Sequence, residues 1–197
     1  MEIAITGIGN MKDLIFEELS TRRLPIKARE YQSLNEFDGL TLLVYDGLQI
    51  NEALKYVQKN KLNVIPVFVE LDRVLIAGKF NSEGDEGVIC PQCGISRLKE
   101  YFAPAKMHQT VMEQSHCFER NYFLKEEMMA LCDQIINYIE NDSLNKNIGS
   151  FSLDYYTTIF KEISGYTNCD ICDNRDSKIE ELIFAVKGAN KNVIITN

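Results

Sequence analysis

Apolar residues come in short bursts along the first part of the chain, and their spacing alternates between two periods. "MEIAITGIG" is a β-rich run that ends in glycines, and "NMKDLIFEELSTR" follows with Met11, Leu14, Ile15 and Leu19 at helical spacing. "LPIKARE" predicts a second short strand. "LTLLVYDG" is a nearly continuous apolar run ending in Asp46-Gly47, the pattern of a parallel strand buried on both faces. "QINEALKYVQKNK" places Ile50, Ala53, Leu54 and Val57 on one side of a helix. Two more strands follow, "LNVIPVFVEL" and, past a tight turn at Asp72-Arg73, "RVLIAGKF". This alternation of strand and helix predicts a parallel α/β sheet.

The pattern then changes. "NSEGDEG" is a polar, glycine-rich loop. Its acidic run reads first as a solvated surface and second as a contact for a basic partner. "AKMHQTVMEQSHCFERNYFLKEEMMALCDQIINYIEND" predicts mainly helix, in two pieces. "SLNKNIGSFSLDYYTTIFKEISGYT" predicts a turn and then a strand or hairpin, with Phe151, Leu153, Tyr155, Ile159 and Ile163 supplying apolar contacts. The tail "SKIEELIFAVKGANKNVIITN" reads as a helix, a turn at Gly188 and a short final strand. Nothing in the chain repeats, and no low-complexity tract interrupts it.

Composition bounds what this organisation can serve. A chain of 197 residues, 45% hydrophobic and 25% charged, suits one domain, or a domain with a sizeable insertion, with a real core. A formal net charge of −8 argues against nucleic acid as a partner, because phosphate contacts need clustered Lys and Arg. The N-terminus has too short an apolar run for a signal peptide, and no stretch approaches the ~18–20 apolar residues that cross a bilayer. The expected location is therefore cytoplasmic, with no membrane partner. Six cysteines in a reducing compartment point to metal binding or isolated core thiols rather than disulfides.

Four of those cysteines form two pairs, Cys90-Pro-Gln-Cys93 and Cys169-Asp-Ile-Cys172. A CxxC turn aims two thiolates at one point, and two such turns brought together give tetrahedral sulfur coordination. That geometry suits zinc and leaves no open position for a substrate, so the metal would be structural. A redox dithiol would need the pair at a helix N-terminus with its first thiol exposed. An iron–sulfur cluster takes the same four ligands, and buried thiols without metal are the plain alternative. Cys117 and Cys132 stand alone in helical patterns and read as core residues.

The remaining candidates are weaker. Gly7-Ile8-Gly9, between a strand and a helix, has the setting of a nucleotide-binding turn, but Lys12 stands where GxGxxG has its third glycine. A bulky side chain there is expected to obstruct close helix–strand packing. Gly7 and Gly9 are thus a degenerate cofactor-binding candidate. Asp46 is placed to bind a ribose or a metal, or else to cap the next helix or shape a turn. The only histidines, His108 and His116, make no catalytic pair with a neighbouring cysteine, since adjacent His116 and Cys117 face different ways on a helix. The stripe Phe118, Tyr122, Phe123, Met128 and Met129 reads as core or subunit interface. No catalytic residue is assigned.

Taken together, "IAITGIGNMKDLIFEELS", "LTLLVYDGLQINEALKYVQKNKLNVIPVFVELDRVLIAGKF", "ICPQCGISRL" and "YTNCDICD" stand in the order seen in ThiF/MoeB-type proteins. The chain most resembles their divergent relatives from clusters that make azole-modified peptide bacteriocins. The resemblance spans Met1 to Cys172 and is strongest between Leu40 and Leu98. It implies a truncated Rossmann-like ThiF/MoeB sheet with a helical insertion and a zinc-stapled C-terminal part. Residues 1–89 would be a Rossmann-like α/β region lacking an intact nucleotide-binding motif. Residues 90–197 would be a zinc-stapled α+β region, continuous with the first.

The resemblance further implies a non-catalytic partner of a YcaO-type cyclodehydratase, with Cys90, Cys93, Cys169 and Cys172 as zinc ligands. Contact with the precursor peptide and a homodimer are also implied. Several departures from the family pattern stand out. The third glycine is absent, no arginine and aspartate constellation of an ATP site is visible, and no cysteine matches the family's catalytic thiol. The chain also begins directly at the Rossmann-like strand, without the winged-helix region that grips leader peptides, so leader binding would fall to a separate protein or to an edge strand such as "RVLIAGKF" accepting an extended peptide. The rival readings are an ATP-dependent adenylyltransferase of the ThiF/MoeB type and a zinc-containing interaction domain unrelated to peptide modification.

Overall fold

The computed structural model describes residues 2–22, 26–28, 37, 39–60, 63–70, 72–80, 89–102, 123–141 and 144–163. In chain order these form β1 (Ile3–Ile8), α1 (Met11–Ser20), β2 (Ile26–Ala28), β3 (Leu40–Asp46), α2 (Ile50–Asn60), β4 (Asn63–Val69), β5 (Arg73–Ala77), α3 (Pro91–Phe102), α4 (Lys125–Glu140), β6 (Asn147–Ser152) and β7 (Thr158–Glu162). The strands build one sheet in the order β2-β1-β3-β4-β5-β6-β7. Pairing is parallel from β2 through β4, as the strand–helix alternation predicts, and antiparallel from β4 through β7. The change of direction is made by the tight turn at Asp72-Arg73. There the Glu70 N–H donates to the Arg73 carbonyl at 2.9 Å, and the two side chains form an ion pair.

Strict alternation along the central strands sends side chains into two separate cores. Ile3, Ile5, Leu42, Val44, Ile65, Val67, Val74 and Ile76 face α1 and α4. Ala4, Leu43, Tyr45, Val64, Phe68, Leu75 and Ala77 face α2 and α3. Burial on both faces explains why these strands read as continuous apolar runs rather than as alternating ones. Helix α1 buries Met11, Ile15 and Leu19, one turn apart, each side chain contributing about 1.5–3 kcal/mol. Leu14, on the flank of that stripe, is only partly buried.

Two sequence expectations are corrected. β5 is not an edge strand: β4 pairs with one side and β6 with the other, so its backbone groups are taken and no peptide can add there. Among the described residues the edges are β2 and β7. The expected hairpin is β6–β7, but of the five residues expected to supply its apolar contacts only Phe151, Leu153 and Ile163 are buried. Tyr155, in the turn between the two strands, and Ile159, on β7, are 78% and 73% exposed.

Candidate functional site

In open α/β sheets, ligands bind in the crevice outside the strand C-termini where strand order reverses. Here that point lies between β1 and β3, which run side by side from Ile3↔Leu40 to Ile8↔Tyr45. β1 ends in the glycine turn and β3 ends at Asp46. Both glycines hold backbone conformations that side chains avoid, with φ of +146° at Gly7 and +109° at Gly9. A Cβ on Gly7 would sit 1.6 Å from the Val44 carbonyl oxygen, so this glycine serves the approach of the two strands.

Gly9 serves a different neighbour. A Cβ there would sit 2.1 Å from the carboxyl carbon of Asp46. That carboxylate accepts the Asn10 N–H at 2.7 Å and the Met11 N–H at 3.1 Å. It thereby satisfies two of the amides that every helix N-terminus leaves without an intrahelical partner. Asn10, a residue type that usually caps by its own side chain, makes no such bond. Asp46 is 7% exposed and is held from behind. Gly47, at φ +76°, donates its N–H to Val69 at 2.6 Å, and the Gln49 side chain donates to the Asp46 carbonyl at 2.8 Å. Asp46 does cap a helix, but it caps α1, 35 residues earlier, rather than the following α2.

Lys12 does not obstruct the packing of α1, contrary to the expectation drawn from the missing third glycine. Met11 and Ile15 make the core contact, while Lys12 turns outward and pairs with Asp13 at 2.9 Å.

The second candidate is the first cysteine pair. Cys90 precedes the first residue of α3, and Cys93 lies in its first turn. Both are fully buried against Phe80, Ile95 and Leu98, and they form no disulfide with each other. The Cys93 N–H donates to the Cys90 sulfur at 3.4 Å, and the Gly94 N–H donates to the Cys90 carbonyl at 3.0 Å. An N–H aimed at a sulfur favours negative charge on it, which fits a thiolate ligand. The pair does sit at a helix N-terminus, as a redox dithiol would, yet its first thiol is buried rather than exposed. Among the described residues no three His, Cys, Asp or Glu side chains gather as a metal group. Cys169 and Cys172 lie outside the described residues, as do Cys117, His108, His116, Phe118, Tyr122 and the acidic run at 81–88.

Cys132 is a core residue, as its isolation predicts. It packs 4.0 Å from the Met128 sulfur, and burial pushes its thiol up to about 12, which suits packing and not nucleophilic chemistry. Of the aromatic and methionine stripe, Met128 is buried, Phe123 is partly so, and Met129 is exposed. No helix among the described residues is long and apolar enough to cross a membrane.

No protein-family model matches the chain, and no curated protein does. Solved structures do match in fold. A chain of the E. coli microcin synthetase McbBCD complex aligns with 86% of this chain and 67% of its own length, at TM-score 0.59 and 14% identity. In the same complex with pro-MccB17 bound, the match covers 88% of this chain and 70% of the other, at TM-score 0.50 and 11% identity. The heterocyclase TruD aligns over 87% of this chain but only 27% of its own, at TM-score 0.53 and 12% identity. The chain thus spans about two-thirds of the microcin synthetase component and about a quarter of the heterocyclase. At such identities the likeness is one of fold.

Proposed function

We propose that this chain is a non-catalytic, ThiF-like scaffold that partners a YcaO-type cyclodehydratase in making an azole- or azoline-modified, bacteriocin-like peptide. The observation that carries the proposal is the fold likeness to a component of a microcin synthetase complex across nearly all of this chain. The likeness to part of a heterocyclase points to the same kind of chemistry. Absence of catalysis is argued from the crevice at the β1–β3 reversal. Its turn amides already hold the Asp46 carboxylate, and Lys12 is paired with Asp13 instead of reaching toward a phosphate.

In this reading the chain works in the cytoplasm. It contacts the cyclodehydratase and the precursor peptide, and it can pair with a second copy of itself. Cys90, Cys93, Cys169 and Cys172 would hold one structural zinc, whose contribution is to the fold alone. The buried position of Ile163 supports this assignment. It shares one apolar cluster with Cys90 and Cys93, and Cys169 follows only six residues later. Six residues span about 20 Å when extended, enough to bring the second pair to the first.

The test is reconstitution. Heterocyclisation of a precursor peptide by its YcaO-type enzyme is expected to require this chain, and the two proteins are expected to co-purify. The chain alone should show no ATP–pyrophosphate exchange. Robust exchange by the purified chain would overturn the scaffold reading in favour of an adenylyltransferase.

A further inference from the structure

We infer that Asp46 is a built-in anion. Its carboxylate takes the position that a phosphate takes in nucleotide-binding relatives of this fold, and so closes the crevice to nucleotides. The inference deepens the proposed function and rests on its non-adenylating reading.

Three observations converge on it. The two N–H groups that a phosphate at the start of α1 would use, those of Asn10 and Met11, both go to Asp46. The space that Gly9 leaves by lacking a side chain is filled by the Asp46 carboxylate, which a Cβ would meet at 2.1 Å. In dinucleotide-binding turns the corresponding space admits the pyrophosphate. Finally, Asp46 sits at the end of β3, across the strand-order reversal from the turn, where a bound ligand would otherwise bridge the two strands. A phosphate entering here would meet a like charge at contact distance and find its donors taken. The same carboxylate supplies the cap that α1 lacks from Asn10, so it does for this helix what a bound anion does elsewhere.

The experiment compares wild type with Asp46→Ala and Asp46→Asn by thermal unfolding, in inorganic phosphate and in chloride at matched ionic strength. Asp46→Ala is expected to lower Tm by about 5–10 °C in chloride. About 50 mM phosphate should restore roughly half of that loss by binding the vacated amides. Wild type should respond equally to the two salts. Asp46→Asn keeps an acceptor oxygen without the charge, so it should lose less and gain little from phosphate; it also serves if the alanine variant fails to fold. A loss in Asp46→Ala that phosphate does not restore would make Asp46 an ordinary cap and overturn the inference. A wild type stabilised by phosphate as strongly as the variant would overturn it too. Neither result touches the scaffold reading, which is tested separately by reconstitution and by ATP–pyrophosphate exchange.

Discussion

Arg22, just past the end of α1, reaches Asp133 in the middle of α4, 111 residues later, with its Nη1 2.6 Å from the carboxylate. The same guanidinium also bonds Glu18 through its Nε and Nη2. One cation thus ties the two helices that cover one face of the sheet. Arg22 keeps 26% and Asp133 58% of its side-chain surface in water, so the pair is screened and modest. A double-mutant cycle with Arg22→Ala and Asp133→Ala, followed by urea unfolding, is expected to give a coupling of about 0.5 kcal/mol. The coupling should shrink toward zero in about 1 M salt. A coupling that persists in salt would mean the contact is packing rather than charge.

Gly94 offers a sharper test, because two effects of opposite sign compete there. Alanine normally favours a helix over glycine by about 1 kcal/mol. At this position, however, a Cβ would lie 2.1 Å from the ring of Phe80, which is fully buried. Overpacking of a rigid ring in a closed core costs about 1–3 kcal/mol, so the clash wins. Gly94→Ala is therefore expected to destabilise the wild type in chemical denaturation. In a Phe80→Leu background the same change should cost much less or become favourable. An equal cost in both backgrounds would place the strain elsewhere.

The parts of the fold that depend on short-range pattern are legible in the chain, and those that depend on distant partners are not. Ile3 to Ile8, Leu40 to Asp46 and Asn63 to Val69 read as buried strands because alternate side chains enter two cores. The turn at Asp72-Arg73 was equally plain. What local pattern cannot convey is which strands become neighbours. β5 looked like an edge until β6 arrived from far down the chain to pair with it. Tyr155 and Ile159 read as core from their apolar spacing, but Tyr155 falls in the turn between β6 and β7 and Ile159 lies on the edge strand, and both are exposed. The glycine turn shows the same limit at the candidate site. Its glycines were visible, but the carboxylate that fills it comes from β3, and only the sheet register brings Asp46 there. The Asp46-Gly47 dipeptide at a strand end is the available signal; it suggests a cap on the next helix, whereas the sheet register gives that cap to α1.

The zinc proposal gives a third prediction, with a readout independent of any activity. Purified chain is expected to carry about one zinc, since four thiolates close a tetrahedral shell. Cys90→Ser removes one of them and also the sulfur that accepts the Cys93 N–H. After dialysis that variant should retain less than about a tenth of the metal and unfold at least about 5 °C lower. Unchanged zinc content and stability would remove Cys90 from the proposed ligand set.

Alkaline pH supplies the fourth. The buried Cys132 thiol, ordinarily near 9.0, is pushed up to about 12, first by loss of hydration and then by the Glu18 carboxylate. Burial also raises the Tyr138 phenol above its ordinary 10.0. A raised folded-state value means that the unfolded chain ionises first. The stability these groups share is therefore intact below pH 9.0 and is lost as pH rises toward the folded-state value. Each group removes up to about 1.4 kcal/mol per pH unit once its unfolded form is ionised. Denaturant midpoints should be level from about pH 7 to 8.5 and then fall, with a second steepening above about pH 10. In Cys132→Ala the first fall should vanish and the second remain. Adding Tyr138→Phe should flatten that as well, and at neutral pH it should cost little, because the Tyr138 hydroxyl is buried with no hydrogen-bond partner among the described residues. A wild-type curve that stays level to about pH 11 would show that neither side chain is as deeply enclosed in solution as its place between α4 and the sheet requires.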